Sequence, residues 1–243
     1  MRSAMSACAI RAIRSAISSR ATARRNWQKS PTSSSSISIL SRSSRPNSGS
    51  TASGVIHGEI YKARPEVNAV VHHHAPAVLP FAISGREMVP VFHLGAVIGQ
   101  VPFWDQRDEF GDTNMLVIKP EEGASLARAL GPHWMVLMRR HGATVAGLSL
   151  RELTFRTVFG CDNAKLLSQA IAHGHVDSLS PGEAKLTSAH QLRPPSMGRA
   201  WDYWVRQVEK AGLMPARRAP AAKRAAPKPA KKSPAKVKVR KRR

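Results

Sequence analysis

Cysteine is nearly absent: Cys8 and Cys161 are the only two in the 243-residue chain. So few exclude a disulfide framework and a thiolate zinc site. They fit a reducing compartment, and a cytoplasmic protein is expected. No window approaches 18 uninterrupted apolar residues, so no membrane-spanning helix is expected. Acidic residues are missing from both ends. Residues 1–54 hold 9 Lys+Arg and no acid, and residues 216–243 hold 13 and no acid. The stretch 55–215 therefore carries all 15 acids against 16 basic residues. The formal charge of +23 belongs to the ends, while the middle is close to neutral. The total charge is thus no argument for a nucleic-acid-binding body.

Three segments follow from this division. Residues 1–54 are rich in Ser, Arg and Ala, as in SSSSISILSRSSRPNSGS. Three readings fit them: an organelle transit peptide, a disordered tail without a core-forming pattern, or translation from a wrong start or frame. The third is the one expected here. Residues 55–215 alternate helical and strand patterns and have the length of one well-filled core. Residues 216–243, rich in Lys, Pro and Ala, cannot form a core and read as a disordered basic tail. Such a tail would contact nucleic-acid phosphates without sequence preference, or simply keep the protein soluble.

Within 55–215, VIHGEIYKAR reads as a helix stopped before Pro65. NAVVHHH reads as a strand, and APAVLPFAIS as a short apolar helix. MVPVFHL, AVIGQVPFW and NMLVI read as short strands. PEEGASLARALG has a proline start and a glycine stop. HWMVLMRRHGATVAG reads as two strands around a glycine. A long helix follows, with Ser149 as N-cap, Glu152 at the capping-box position and Gly174 as the stop. Two further helices are expected from Ser180 and Met197 onward. The mixture predicts an α/β layered domain.

The run VVHHHAPAV places three histidines in a row at 72–74. Alternate strand residues share a face, so His72 and His74 point together and His73 points away. Two imidazoles at that spacing are half of a metal site, or an ordinary strand pair. His141, before a glycine in LMRRHGATVAG, is a third candidate. Three histidines with an open position suit a catalytic divalent ion. His73 reads as a packing or surface residue. His133, His173, His175 and His190 read as surface, while His57 and His93 each lie near a candidate site element.

IHGEIYKARPEVNAVVHHHAPAVLPFAIS, DTNMLVIKPEEGASLARALG and VLMRRHGATVAG stand in this order in the chain. Together they resemble the class II aldolase/adducin family over about residues 55–212. The resemblance implies a three-layer α/β/α domain with a mostly antiparallel central sheet, usually a homotetramer. It implies that His72, His74 and His141 bind a divalent cation, zinc or else manganese. RPEVNAVVHHHAPAV, VPVFH and MGRAWDYW resemble most the bacterial decarboxylases of aromatic catabolism. These act on carboxylated ring-cleavage semialdehydes or dihydroxyphthalate.

The implied activity is that of a metal-dependent carbon–carbon lyase, a decarboxylase first. Negative charge develops on an oxygen beside the breaking bond, where a cation stabilises it. The aldolases of this family use a glutamate at the place that holds Ser53 here, and serine has no useful pKa for that task. Glu59 would point from another face of its helix. The family's Gly/Ser/Thr-rich N-terminal turns have no evident counterpart in 1–54. Activity of the chain as written is therefore in doubt. Tyr61, one helical turn from His57, and His93 are weaker acid–base candidates. Arg139 and Arg140 could hold a substrate carboxylate. The alternatives are a sugar-phosphate aldolase and a non-catalytic binding protein like the adducin heads.

Overall fold

The structure is a computed structural model that describes residues 37–41 and 52–214, with side chains from residue 54 onward. The basic tail of 216–243 and most of 1–54 lie outside the described residues. Among the described residues, five strands form one sheet in the order β1-β2-β5-β4-β3. They are β1 (Ile37–Ser41), β2 (Ala69–His73), β3 (Phe103–Trp104), β4 (Met135–Met138) and β5 (Gly142–Gly147). All pairings are antiparallel except β3 with β4. The expected mostly antiparallel α/β fold is therefore present.

β1 lies inside 1–54, the stretch read as disordered or mistranslated, and it pairs with all five residues of β2, from Ile37 opposite His73 to Ser41 opposite Ala69. A five-residue pattern in a serine-rich run carries little signal by itself. Here the backbone ladder of β2 defines the strand.

Helices cover both sheet faces. On one lie α1 (Ala52–Ala63) and α4 (Pro120–Leu130). Their Ile56, Ile60, Leu126 and Leu130 pack on Val70, Val136, Met138 and Ala146 of the strands. Close approach of the two helices needs Gly123, because a Cβ there would meet Val55 Cγ1 and Glu59 Cγ at 2.8 Å. The short α2 (Leu79–Ser84) follows β2 and ends at Gly85, and α3 (Arg107–Phe110) follows β3. On the other face lies α5 (Leu150–Ala172), whose Leu153, Cys161, Ala164 and Leu167 join Ala69, Val71, Leu137 and Val145. Burying these apolar faces from both sides is the main stabilising term. Outside α5 come α6 (Pro181–Gln191) and α7 (Pro194–Lys210). Trp201 and Trp204 of α7 are buried, and Trp204 packs with Phe155 of α5. No helix among the described residues is long and apolar enough to cross a membrane.

Several expected elements differ. Ser149 caps α5 by accepting Glu152 N–H at 3.2 Å. The Glu152 carboxylate turns instead to buried Arg156 at 2.8 Å, so the reciprocal half of the capping box is replaced by an ion pair. MVPVFHL forms no strand. The Asn163 amide of α5 accepts Val91 N–H and donates to Val89 O, standing in for a neighbouring strand. AVIGQVPFW holds a single 3₁₀ turn at Gly95–Ile98, and only Phe103–Trp104 is extended in the sheet. NMLVI is a loop.

Candidate metal centre

β2 delivers His72 and then His74, just past its end. β4 and β5 are joined by the tight turn Arg139-Arg140-His141, which sets His141 beside them. The three ring nitrogens converge. His72 Nε2 lies 3.0 Å from His74 Nε2 and 3.1 Å from His141 Nε2. Ligand atoms of all three lie within 4.8 Å of one another. Gly142 makes this approach feasible. A Cβ there would stand 2.4 Å from His73 O and 2.9 Å from His74 Cδ2.

The outward nitrogens fix which way the lone pairs face. His141 Nδ1–H donates to Met115 O at 2.6 Å. Thr144, directly opposite His72 in the ladder, donates its hydroxyl to Met138 Sδ. Its oxygen lies 3.2 Å from His72 Nδ1 and can accept that nitrogen's proton in the Nδ1–H tautomer, the one that leaves Nε2 free for a metal. Both Nε2 atoms therefore present lone pairs inward. Burial pushes the His72 pKa well down, with the neighbouring His141 and His74 charges adding to it. Burial also lowers His141, against the raising effect of the Met115 carbonyl. Neutral imidazoles with bound Nδ1–H groups are the form that ligates metal. Zn–N bonds of 2.0–2.1 Å in a tetrahedron set nitrogens about 3.3 Å apart, close to the 3.0 and 3.1 Å that separate His72 Nε2 from its two neighbours. The donor set thus fits a divalent cation.

His73 points the other way, as strand alternation requires, and is fully buried. Its Nδ1 accepts Ala75 N–H at 3.3 Å. Its Nε2 has no hydrogen-bond partner among the described residues, and burial pushes its pKa down to about 4. It takes no part in the cluster.

A cavity adjoins His141, and Arg139 and Arg140 both line it with Asp105, Gln106 and Thr113. Asp105 accepts from Arg139 Nε at 3.0 Å and from Arg107 Nη2 at 2.9 Å. The bond from Arg107, more than any other influence, holds the Asp105 carboxyl below its usual range. Arg140 is exposed, has a positive φ of 51° and donates its backbone N–H to Ala82 O at 2.8 Å.

The other sequence candidates fall elsewhere. His93 is exposed with its ring against Phe92, and it is not among the residues lining the cavity. Its loop is tied to α5, on the sheet face away from His72. Tyr61 packs against the α1/α4 core. His57, 1% exposed, is near enough to His72 to add repulsion to its protonated form. Ser53 falls in the first turn of α1, and its side chain lies outside the described residues. Glu59 is paired with Lys62 at 2.6 Å. Sequence reading missed Thr144, Asp105 and the Met115 carbonyl. Only Thr144 had a signal, as the cross-strand partner that antiparallel pairing gives His72.

Comparison with known proteins agrees with this architecture. The family model for the class II aldolase and adducin N-terminal domain matches residues 21–166. The match begins well before Val55, where the resemblance legible in the motifs starts. Decarboxylase tropJ of Talaromyces stipitatus is 34% identical over 179 residues, covering 65% of this chain and 67% of that protein. Decarboxylase NovR of Streptomyces niveus is 29% identical over 134 residues, covering 54% of this chain and 47% of that protein. The chain thus spans about half to two thirds of the length of these relatives. Among solved structures, an aldolase II superfamily protein from Pseudomonas syringae superposes with a TM-score of 0.55 at 19% identity, over 67% of this chain and 64% of that one. The chain belongs to the class II aldolase and adducin N-terminal domain family.

Proposed function

We propose that the protein is a divalent-metal-dependent carbon–carbon lyase that decarboxylates a carboxylated semialdehyde or a dihydroxy-aromatic acid. The observation that carries this reading is the convergence of three imidazole nitrogens beside a cavity lined by arginine. The two decarboxylase relatives support the same class. His72, His74 and His141 would hold the ion, with zinc favoured by the all-imidazole donor set. When bound, the cation supplies electrostatic stabilisation to negative charge on an oxygen next to the breaking bond.

The remaining work falls to the protein's own groups. Arg139 offers a planar donor fork that can pair with a substrate carboxylate. Asp105 takes its Nε and so restricts the direction in which the other donors face. Arg140 adds a positive charge at the cavity. Asp105, held ionised by two arginines, is suited to orienting Arg139 rather than to giving up a proton. The same reading carries assembly as a homotetramer and a place in the cytoplasm. Light scattering on the purified protein tests the first, and cell fractionation the second.

The test is CO2 release by zinc-loaded protein from carboxylated semialdehydes and dihydroxy-aromatic acids, beside a His72→Ala/His74→Ala variant. Release by the parent and none by the variant is expected. Aldehyde release from a sugar phosphate without CO2 would replace this reading with the aldolase one. Zinc binding without either reaction would favour a non-catalytic, adducin-like role.

A further inference from the structure

Among the described residues, Met115 at φ 62° and Arg140 at φ 51° are the non-glycine residues with positive φ. Both bear on His141. Arg140 precedes it, and the Met115 carbonyl accepts its Nδ1–H. Left-handed backbone is disfavoured for a side chain like that of methionine. It persists where surrounding bonds over-determine it, and such positions cluster at functional sites.

Those bonds form a closed network around Met115. Its N–H donates to Thr113 Oγ1 at 3.0 Å, and that hydroxyl donates to Gln106 Oε1 at 3.0 Å. Gln106 Nε2 reaches forward to Leu116 O at 3.2 Å. Leu116 N–H donates to Asn114 Oδ1 at 3.1 Å. Gln106 is 7% exposed, so this amide is a buried post rather than a solvated side chain. Downstream, the Glu122 carboxylate accepts the N–H groups of Ile118 and Lys119. The loop has no strand ladder, and buried or capping side chains determine its shape.

We infer that the Gln106–Thr113 pair is a positioning device for His141. It fixes the Met115 carbonyl, which holds the imidazole as the Nδ1–H tautomer and aims Nε2 at His72 and His74. Without that acceptor the ring can carry its proton on Nε2. The proton would then point at the other two imidazoles and occupy the place of a cation. Gln106 and Thr113 also line the cavity, so one network shapes both the cavity wall and the third ligand. The consequence for metal binding rests on the proposed function, while the tautomer does not.

Two readouts on the full chain test this, with Thr113→Val, Thr113→Ser and Gln106→Glu beside the parent. The first is ¹⁵N NMR of the histidine rings in metal-free protein, with His141 assigned from a His141→Gln variant. The parent is expected to show Nδ1–H, Thr113→Val a mixture of tautomers, and Thr113→Ser the parent pattern. The second is zinc affinity by chelator competition. A loss of about tenfold or more is expected for Thr113→Val, with recovery to within about twofold in Thr113→Ser. Melting temperatures of the metal-free variants separate loss of folding from loss of positioning, and Gln106→Glu serves should Thr113→Val fail to fold. An unchanged His141 tautomer with unchanged zinc affinity in Thr113→Val overturns the inference. A parent that binds no zinc sinks the metal reading alone, and the ring spectra still decide the positioning role.

Discussion

The two faces of β2 give neighbouring histidines opposite surroundings. The His72 face meets Thr144 of the adjoining strand β5 and His57 of α1, and it opens at its end onto His74 and His141. The His73 face, shared with Ala69 and Val71, packs into the apolar core under α5. Both rings are buried, yet only His72 has a second and a third imidazole nitrogen facing its Nε2. Burial alone therefore does not make a histidine a ligand. What separates the two is a polar cross-strand partner and the convergence of a second chain segment.

Acid acts most strongly on the difference between the two faces. The unfolded chain protonates His73 near its ordinary pKa, whereas the folded chain resists until about pH 4. Between these values the unfolded state binds the extra proton, so stability falls as pH falls. It is fully present above about pH 7 and the loss levels off below pH 4. His73 alone is expected to remove roughly 3 kcal/mol between pH 7 and pH 4 in metal-free protein. Urea unfolding across that range, with His73→Asn as the flattened control, measures it.

A smaller effect sharpens the contrast at the strand end. Gly142→Ala forces a methyl against His73 O and the His74 ring. An overpacking cost of about 1–3 kcal/mol is expected, together with loss of zinc binding. An unchanged melting temperature would mean that the close approach is not required. The smallest expected effect is at Arg140, where glycine relieves a left-handed backbone. Arg140→Gly should stabilise the fold by a few tenths to about 1 kcal/mol, after the entropy glycine gains in the unfolded chain. The same change should weaken binding of carboxylated substrates, measurable as a raised KM.

Much of this site was legible in the sequence because it rests on strand periodicity. The alternation that set His72 and His74 apart from His73 follows from side-chain direction alone. The glycine after His141 marked a close backbone approach, and the caps at Pro120 and Ser149 located two helices. The loops were not legible. Met88–Leu94 and Asn114–Ile118 have the short apolar runs of strands, and composition cannot reveal that Asn163 and Gln106 supply their hydrogen bonds. β1 was missed because its partner strand defines it. The Asp105–Arg139 pair joins residues 34 positions apart across β3 and β4, a separation that no local spacing rule covers.

On the proposed reading, His72, His74 and His141 form one metal centre and His73 is a bystander. The most direct test of this reading is the metal content of the purified protein beside the His72→Ala/His74→Ala and His73→Asn variants. About one divalent ion per chain is predicted for the parent and for His73→Asn, and none for the double variant. A parent without metal, or a double variant that keeps it, would contradict the account.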